Sequence, residues 1–499
     1  MSDPPSTHEL AEEHGAELPL YHSLWGLITE GVKKNADGPA VISLYQGANH
    51  LSSLISKDVE DAGHLTWTYT ELQEAAERLA EILHATGVRK GSVVALFLYN
   101  SVEWCLFFWA CAKMEACFAP LNPDSIHRPN ELKHLLQTLE PNVLVVQDSN
   151  LATSIEKETW EIVSELKLKI ICEPGNGSYG EHWKALSTLE ALILKSCDDL
   201  SNAGNPSNDS AVVFFTSGTT SLPKACPRTV AILDSGSQLA SKSFKKEFRY
   251  LSNARSFHVA ALVHVALWRA GATTIIPARG FDASATLQAL KSQRCTHMDL
   301  TPSMMYAIQN HPLLETYRPP RLSRLILVAD MVPQDLLTKC EEIFKPKYIK
   351  LSWGMTEGIG LTSYGPEGSP PSQDGVTTTG KVSPGSRLRI CKPGTRIPLK
   401  RGEKGEIHCG GTSVIQGYLK DTSHEAFYND ENGNWFISGD QGTMDDHGNI
   451  YVHGRYKDII IRGGENISPA TIESCLNTQA SVMVISTSQA PGVSSLTTA

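Results

Sequence analysis

From Ala211 to Lys224 the sequence reads AVVFFTSGTTSLPK, an apolar run followed at once by hydroxyl residues, a glycine and a lysine. Thr216, Ser217, Thr219, Thr220 and Ser221 bring hydroxyl groups, Gly218 lets the backbone come close, and Lys224 adds a positive charge. Such a set suits a polyphosphate, whose oxygens accept from N–H, O–H and ammonium donors. The spacing is not that of a Gly-x-x-x-x-Gly-Lys-Ser/Thr loop. Taken alone, a Ser/Thr-rich surface turn after a strand would explain it as well.

Three further clusters carry matching chemistry. In Ser352-Trp353-Gly354-Met355-Thr356-Glu357-Gly358, Trp353 offers a flat face for a base, Thr356 a hydroxyl for phosphate and Glu357 a hard oxygen for Mg²⁺. In Trp435-Phe-Ile-Ser-Gly439-Asp440 one carboxylate follows a Ser-Gly turn, suited to gripping two ribose hydroxyls. Gly454-Arg455-Tyr456-Lys457-Asp458 adds cations close by in sequence.

These clusters need a scaffold, and the apolar periodicity supplies one. Leu72, Ala75, Ala76, Leu79, Ala80 and Leu83 follow helical spacing from Glu71, with Thr70 as the expected cap. Val93–Leu98, Cys117–Ala119 and Asn142–Val146 read as buried strands, with a helix around Val102–Met114. Ala211–Phe215, Thr273–Ile276, Arg324–Val328 and Tyr348–Ser352 repeat the strand signal. Apolar strands separated by helices predict an α/β fold with a parallel sheet covered on both faces. Ligands of such sheets bind beyond the carboxyl ends of the strands, where the Thr216 and Trp353 clusters would fall. After about Gly385 the pattern changes to hairpins, at 387–390, 405–409 and 449–453. Residues 201–210, SNAGNPSNDS, form the expected flexible joint.

Composition narrows the function. The 499 residues are 41% hydrophobic and 20% charged, a globular balance, and the length suggests about three packing units. A net charge of −10, from 44 basic and 54 acidic residues, argues against a nucleic-acid partner. The 11 cysteines show no Cys-x-x-Cys spacing, so free thiols are expected rather than a zinc or disulfide framework. A charged, non-apolar start and the lack of a long apolar stretch predict a cytoplasmic protein without signal peptide or membrane span. Nor is there a peroxisomal tripeptide at the end of the sequence.

TSGTTSLPK, SWGMTEG, GEIHCGGTSVIQGYL, WFISGDQGTMDDHGNIYVHGRYKD and IIIRGGENISPATIE occur in the order found in adenylate-forming enzymes. The chain resembles that superfamily, which comprises acyl-CoA and aryl-CoA synthetases, peptide-synthetase adenylation domains and luciferases, from about Tyr21 to Glu473. The resemblance implies a large N-terminal AMP-binding domain over 1–454, of layered, mostly parallel sheets with flanking helices. It also implies a β-barrel-like subdomain over about 385–454, a hinge at 455–457 and a small, truncated α+β C-terminal remnant over 458–499. The implied reaction is an acid–thiol ligation: Mg·ATP and a carboxylate form an acyl-adenylate and pyrophosphate, and the thiol of CoA, or of a carrier protein's phosphopantetheine, displaces AMP.

By resemblance, Thr216 to Lys224 wraps the β and γ phosphates, while Thr356 and Glu357 hold the α-phosphate and the metal. Trp353 and Gly354 line the adenine side, Asp440 holds the ribose, Arg455 steadies it, and Lys457 is the hinge. His258 matches a histidine at the acyl site, though a satisfied core histidine is an equal expectation. Gly463 and Gly464 fit the loop contacting the pantetheine arm. Val328-Ala329-Asp330-Met331 stands where the family has a Gly-Gly-small stretch, so Ala329 and Asp330 are read as lining the nucleotide or acyl pocket.

The sequence also departs from the pattern. Ser221 replaces a usual glycine, and no lysine follows Lys457, although the family places one near its C-terminus for adenylation. Weak adenylation is therefore expected, with a non-catalytic paralogue or a truncated gene product as the alternative. The apolar stretch after His258 favours an aryl or medium-chain carboxylic acid over an amino acid. Oligomeric state is not determined at this level.

Overall fold

In the computed structural model of the chain, the described residues are 9–18, 23–55, 63–175, 180, 182–189, 210–216, 222–241, 244–328, 332–365, 370–373, 375–421, 425–458, 460–462 and 465–467. Three sheets dominate them. Strands Val93–Phe97, Cys117–Pro120, Val143–Asp148, Leu168–Glu173, Trp183–Ala185 and Val212–Phe215 run parallel in a seven-stranded sheet, closed at one edge by antiparallel Ala225–Arg228. A nine-stranded sheet holds a parallel centre of Pro39–Ser43, Thr273–Ile276, Arg249–Leu251, His297–Leu300, Arg324–Leu327 and Tyr348–Met355. The third, six-stranded sheet is antiparallel and carries Ser386–Cys391, Gly405–Gly411, Gly433–Met444 and Ile450–Arg455. It gains a strand that no pattern in the sequence signalled: Glu12–His14 pairs with Ser386–Cys391, with Glu12 opposite Arg389.

The two large sheets share a layer of helices. Val102–Met114 has apolar side chains on nearly all sides, which no exposed helix tolerates. Trp104, Phe108 and Trp109 are buried and meet Trp268 of the helix Val263–Ala270 edge-on or tilted. One apolar core joins this layer to Val94 and Leu96 of the first sheet and to Val41 and Leu65 of the second. Separate cores cover the outer faces, under helices such as Pro129–Leu139 and Gln334–Phe344. The expected α/β layering with sheets covered on both faces is what forms.

Two local expectations need correction. The helix predicted from Glu71 with a Thr70 cap is Tyr69–Ala85, capped by Thr68. The Thr68 hydroxyl accepts from the Glu71 amide at 3.2 Å, and the Glu71 carboxylate accepts from the Thr68 amide at 2.7 Å, a reciprocal box. Thr70 instead donates to the Ala36 carbonyl at 3.1 Å. The strand expected to stop at Ser352 runs to Met355, because Gly358–Tyr364 folds back beside it as an antiparallel partner. That hairpin leaves no room for a side chain at Gly354, where a Cβ would lie 2.8 Å from the Gly358 carbonyl oxygen.

The cysteines among the described residues are free and buried, as expected, and no described helix is long and apolar enough to cross a membrane. Tyr456–Asp458, at the expected hinge, is one helical turn, followed by a hairpin of Ile460–Arg462 with Glu465–Ile467. All but Ser210 of the joint read at 201–210, and the part of the remnant beyond 467, lie outside the described residues.

Replacing Thr68 by Ala should cost about 1 kcal/mol through loss of the reciprocal cap. Urea denaturation checks this, and an unchanged midpoint would contradict the role assigned to Thr68.

Candidate active site

The hairpin of Val212–Phe215 and Ala225–Arg228 positions the hydroxyl-rich turn. Its neck is closed twice: the Thr216 amide donates to the Lys224 carbonyl at 3.0 Å, and the Lys224 amide donates to the Thr216 hydroxyl at 2.9 Å. Ser217, Gly218, Thr219, Thr220 and Ser221 lie outside the described residues. Further along the same strand, Arg228 is fully buried and donates to the Thr356 carbonyl, so the hairpin is tied to the Thr356–Glu357 turn. Burial draws the guanidinium down to about 10, and its Nε and Nη1 find no partner among the described residues.

Glu357 is fixed by the third sheet's approach. The Ile415 amide donates to its carbonyl at 2.9 Å, and the Tyr418 hydroxyl donates to its Oε1 at 2.6 Å. The Tyr418 ring also lies 4.7 Å from the Lys224 ammonium, a cation–π contact, and Asp421 stands 3.9 Å from the same nitrogen. One aromatic side chain therefore links the lysine of the first cluster to the carboxylate of the second. Desolvation, followed by the Glu357 charge, raises the Tyr418 phenol, so it stays a donor at neutral pH.

Asp440 and Arg455 are cross-strand partners in the third sheet. Arg455 Nε lies 3.3 Å from Oδ1, and the Trp353 indole N–H donates to Oδ2 at 3.2 Å. Trp353, read from the sequence as a flat face on the adenine side, is half-buried. Its ring packs against the apolar cores around Leu361 and Leu388, and it is not among the residues lining the cavity.

These elements converge. One cavity of about 920 Å³ is lined by Thr216, Lys224, Thr356, Glu357, Arg455 and Lys457. Gly354 and, at its apolar end, His258 line the same space, whereas Asp440 sits just behind, 5% exposed and joined to it through Arg455. Its volume falls within the range of small-molecule sites. Burial and the neighbouring Arg255 hold His258 down at about 4, so its imidazole is neutral at physiological pH. Ala329, Asp330, Gly463 and Gly464 lie outside the described residues.

Residues 32–419 match the family of AMP-binding enzymes. The chain belongs to that family. Its sequence is 29% identical to the acyl-CoA ligase GME11374 of Pestalotiopsis microspora, over 93% of this chain and 84% of that protein. It is also 29% identical to the indoleacetate–CoA ligase of Aromatoleum aromaticum, over 82% and 77% respectively. Among solved structures it resembles a long-chain-fatty-acid-CoA ligase of Archaeoglobus fulgidus, with a TM-score of 0.72 and 22% identity over 94% of this chain and 89% of that one. ATP-bound MatB of Rhodopseudomonas palustris gives a TM-score of 0.70 and 22% identity, covering 92% and 84%. These folds are the adenylate-forming fold. As a member of the family, the chain is an acid–thiol ligase that activates a carboxylic acid with ATP.

Sequence reasoning assigned nothing to Arg228 and Tyr418. Tyr418 stood inside the GYL of a recognised motif, but its contact with Glu357 joins residues 61 apart. Arg228 carried no local signal.

Burial pushes the Asp440 carboxyl from the usual 3.8 up to about 6, although Arg455 and the Trp353 donor pull it down. The folded chain thus holds this proton more tightly than the unfolded chain, and stability falls as pH rises from about 4 to about 6. Relative to Asp440→Asn, the unaltered protein should lose on the order of 2 kcal/mol across that window. Parallel pH profiles in urea denaturation would contradict it.

Proposed function

We propose that the cavity binds Mg·ATP at its hydroxyl-rich and acidic end and a carboxylic acid at its apolar end, so that the acid carboxylate attacks the α-phosphorus. The observation carrying this reading is that Thr216, Lys224, Thr356, Glu357, Arg455 and His258 line a single space. Lys224 and the turn from Thr216, including Ser217, Gly218, Thr219 and Thr220, grip the β and γ phosphates. The Thr356 hydroxyl donates to the α-phosphate. Behind Arg455, Asp440 accepts from the ribose hydroxyls once its carboxyl has lost its proton.

Glu357 is suited to Mg²⁺: Tyr418 occupies one carboxylate oxygen and orients the other, and one carboxylate with substrate phosphates is a usual magnesium site. Bound there, the metal would neutralise phosphate charge. Neutral His258 lies where it can donate to, or accept from, the acid's carboxyl group. Residues 455–457, with Lys457, form the hinge of the proposed domain boundary at 454. Gly463 and Gly464 contact the pantetheine arm, and Ala329 and Asp330 border the substrate pocket. The thiol, of CoA or of a carrier protein, then attacks the acyl carbonyl and AMP departs.

Phe244, Leu262, Val263, Val265, Ala266 and Ile326 line the acyl end and support an aryl or medium-chain acid.

Calorimetry with Mg·ATP tests the nucleotide site. Lys224→Ala should weaken binding roughly tenfold or more, as expected for a lost charge-assisted contact of about 1.5–3 kcal/mol. Tyr418→Phe, which frees Glu357 without removing it, should weaken binding by a smaller factor and mainly when Mg²⁺ is present. Equal affinities for all three proteins would defeat the assignment.

A further inference from the structure

The acyl end of the cavity has one charged feature that its apolar walls do not explain. Its floor is the inner face of the nine-stranded sheet, where strand register sets Asp299, Ile326 and Lys350 side by side on three adjacent strands. Asp299 is engaged, since its carboxylate accepts from the Asn253 amide at 3.2 Å and from the Tyr250 phenol. Lys350 is different. It lines the cavity, and among the described residues neither a carboxylate nor a hydrogen-bond partner acts on its ammonium. Burial, and after it the neighbouring cation Arg324, draws the ammonium down to about 8.

An ammonium held there with no partner among the described residues is costly, and a bound anion would relieve the cost. Position says which anion. Lys350 precedes Gly354 by four residues on one strand, which puts it about 13 Å deeper than the turn that faces the α-phosphate. On the proposed reading the nucleotide's phosphates lie at that turn, so an anion at Lys350 belongs to the far end of the acid.

We infer that Lys350 anchors a second carboxylate, and that the acids this enzyme prefers are dicarboxylates with a medium-length apolar spacer. One carboxylate lies at the nucleotide for activation, the spacer crosses the apolar walls, and the other pairs with Lys350. This rests on the proposed reading of the cavity as the acid site and narrows its substrate class. No covalent step is added, because the second carboxylate is bound and not consumed.

The full chain decides this in calorimetric titrations of straight-chain monoacids from hexanoate to decanoate against α,ω-dicarboxylates of equal length. Titrations are run with and without a non-hydrolysable Mg·ATP analogue. At one or more lengths the diacid should bind at least tenfold more tightly than its monoacid. Lys350→Met should abolish that preference while monoacid binding persists, Lys350→Gln should do the same with a polar side chain, and Lys350→Arg should keep it. Monoacid preference at every length, a diacid preference that survives both neutral variants, or no binding of either acid would overturn the inference. Analogue binding, read separately on the same samples, tests the nucleotide site, so failure there is distinguishable from failure here.

Discussion

The site depends on a helix with no outward face. Val102–Met114 is buried along nearly its whole circumference, so it is stable only where apolar surface meets it from both sides. The seven-stranded and nine-stranded sheets provide that surface, and the shared core holds them a fixed distance apart. Even its one buried acid conforms. Burial would raise Glu103, but His50 at 2.6 Å and Gln46 at 2.8 Å hold the carboxylate below its usual range. Because the two sheets are locked through this layer, the Thr216 hairpin on one and the Thr356 turn on the other face a common cavity.

Around that cavity, ties between distant segments matter more than the segments themselves. Arg228 reaches from the first hairpin to the Thr356 carbonyl, Tyr418 joins Lys224 to Glu357, and Trp353 joins the nine-stranded sheet to Asp440. Each tie crosses from one sheet to another. Positive and negative groups are thereby held in place before any ligand binds, which spares a substrate the cost of organising them. Lys224, Glu357, Arg455 and Lys457 share the cavity lining with apolar residues such as Phe244 and Val265, and Lys350 on its sheet floor has no ion-pair partner among the described residues.

Short-range chemistry was legible in the sequence. The strand runs, the Val102–Met114 helix and the change to hairpins after Gly385 follow from apolar periodicity and turn residues, which act over a few positions. Motif order identified the adenylate-forming resemblance, and the family match over residues 32–419 bears it out. The misses are as informative. Thr70 looked like a cap because the pattern begins at Glu71, yet the reciprocal bond with Glu71 selects Thr68. Glu12–His14 carries no apolar signal, since an edge strand is defined by the neighbour that accepts it.

The sequence by itself determined the α/β class, the family and the residue types able to handle a nucleotide, because each is encoded in contiguous stretches. Only the tertiary structure decided that Trp353 serves as packing and as a donor to Asp440, and that Tyr418 joins Lys224 to Glu357. The same holds for Lys350, which lines the cavity beside Ile326 and Asp299 with no ion-pair partner among the described residues. Those facts depend on strand register and sheet spacing, which arise from contacts between residues tens to hundreds of positions apart.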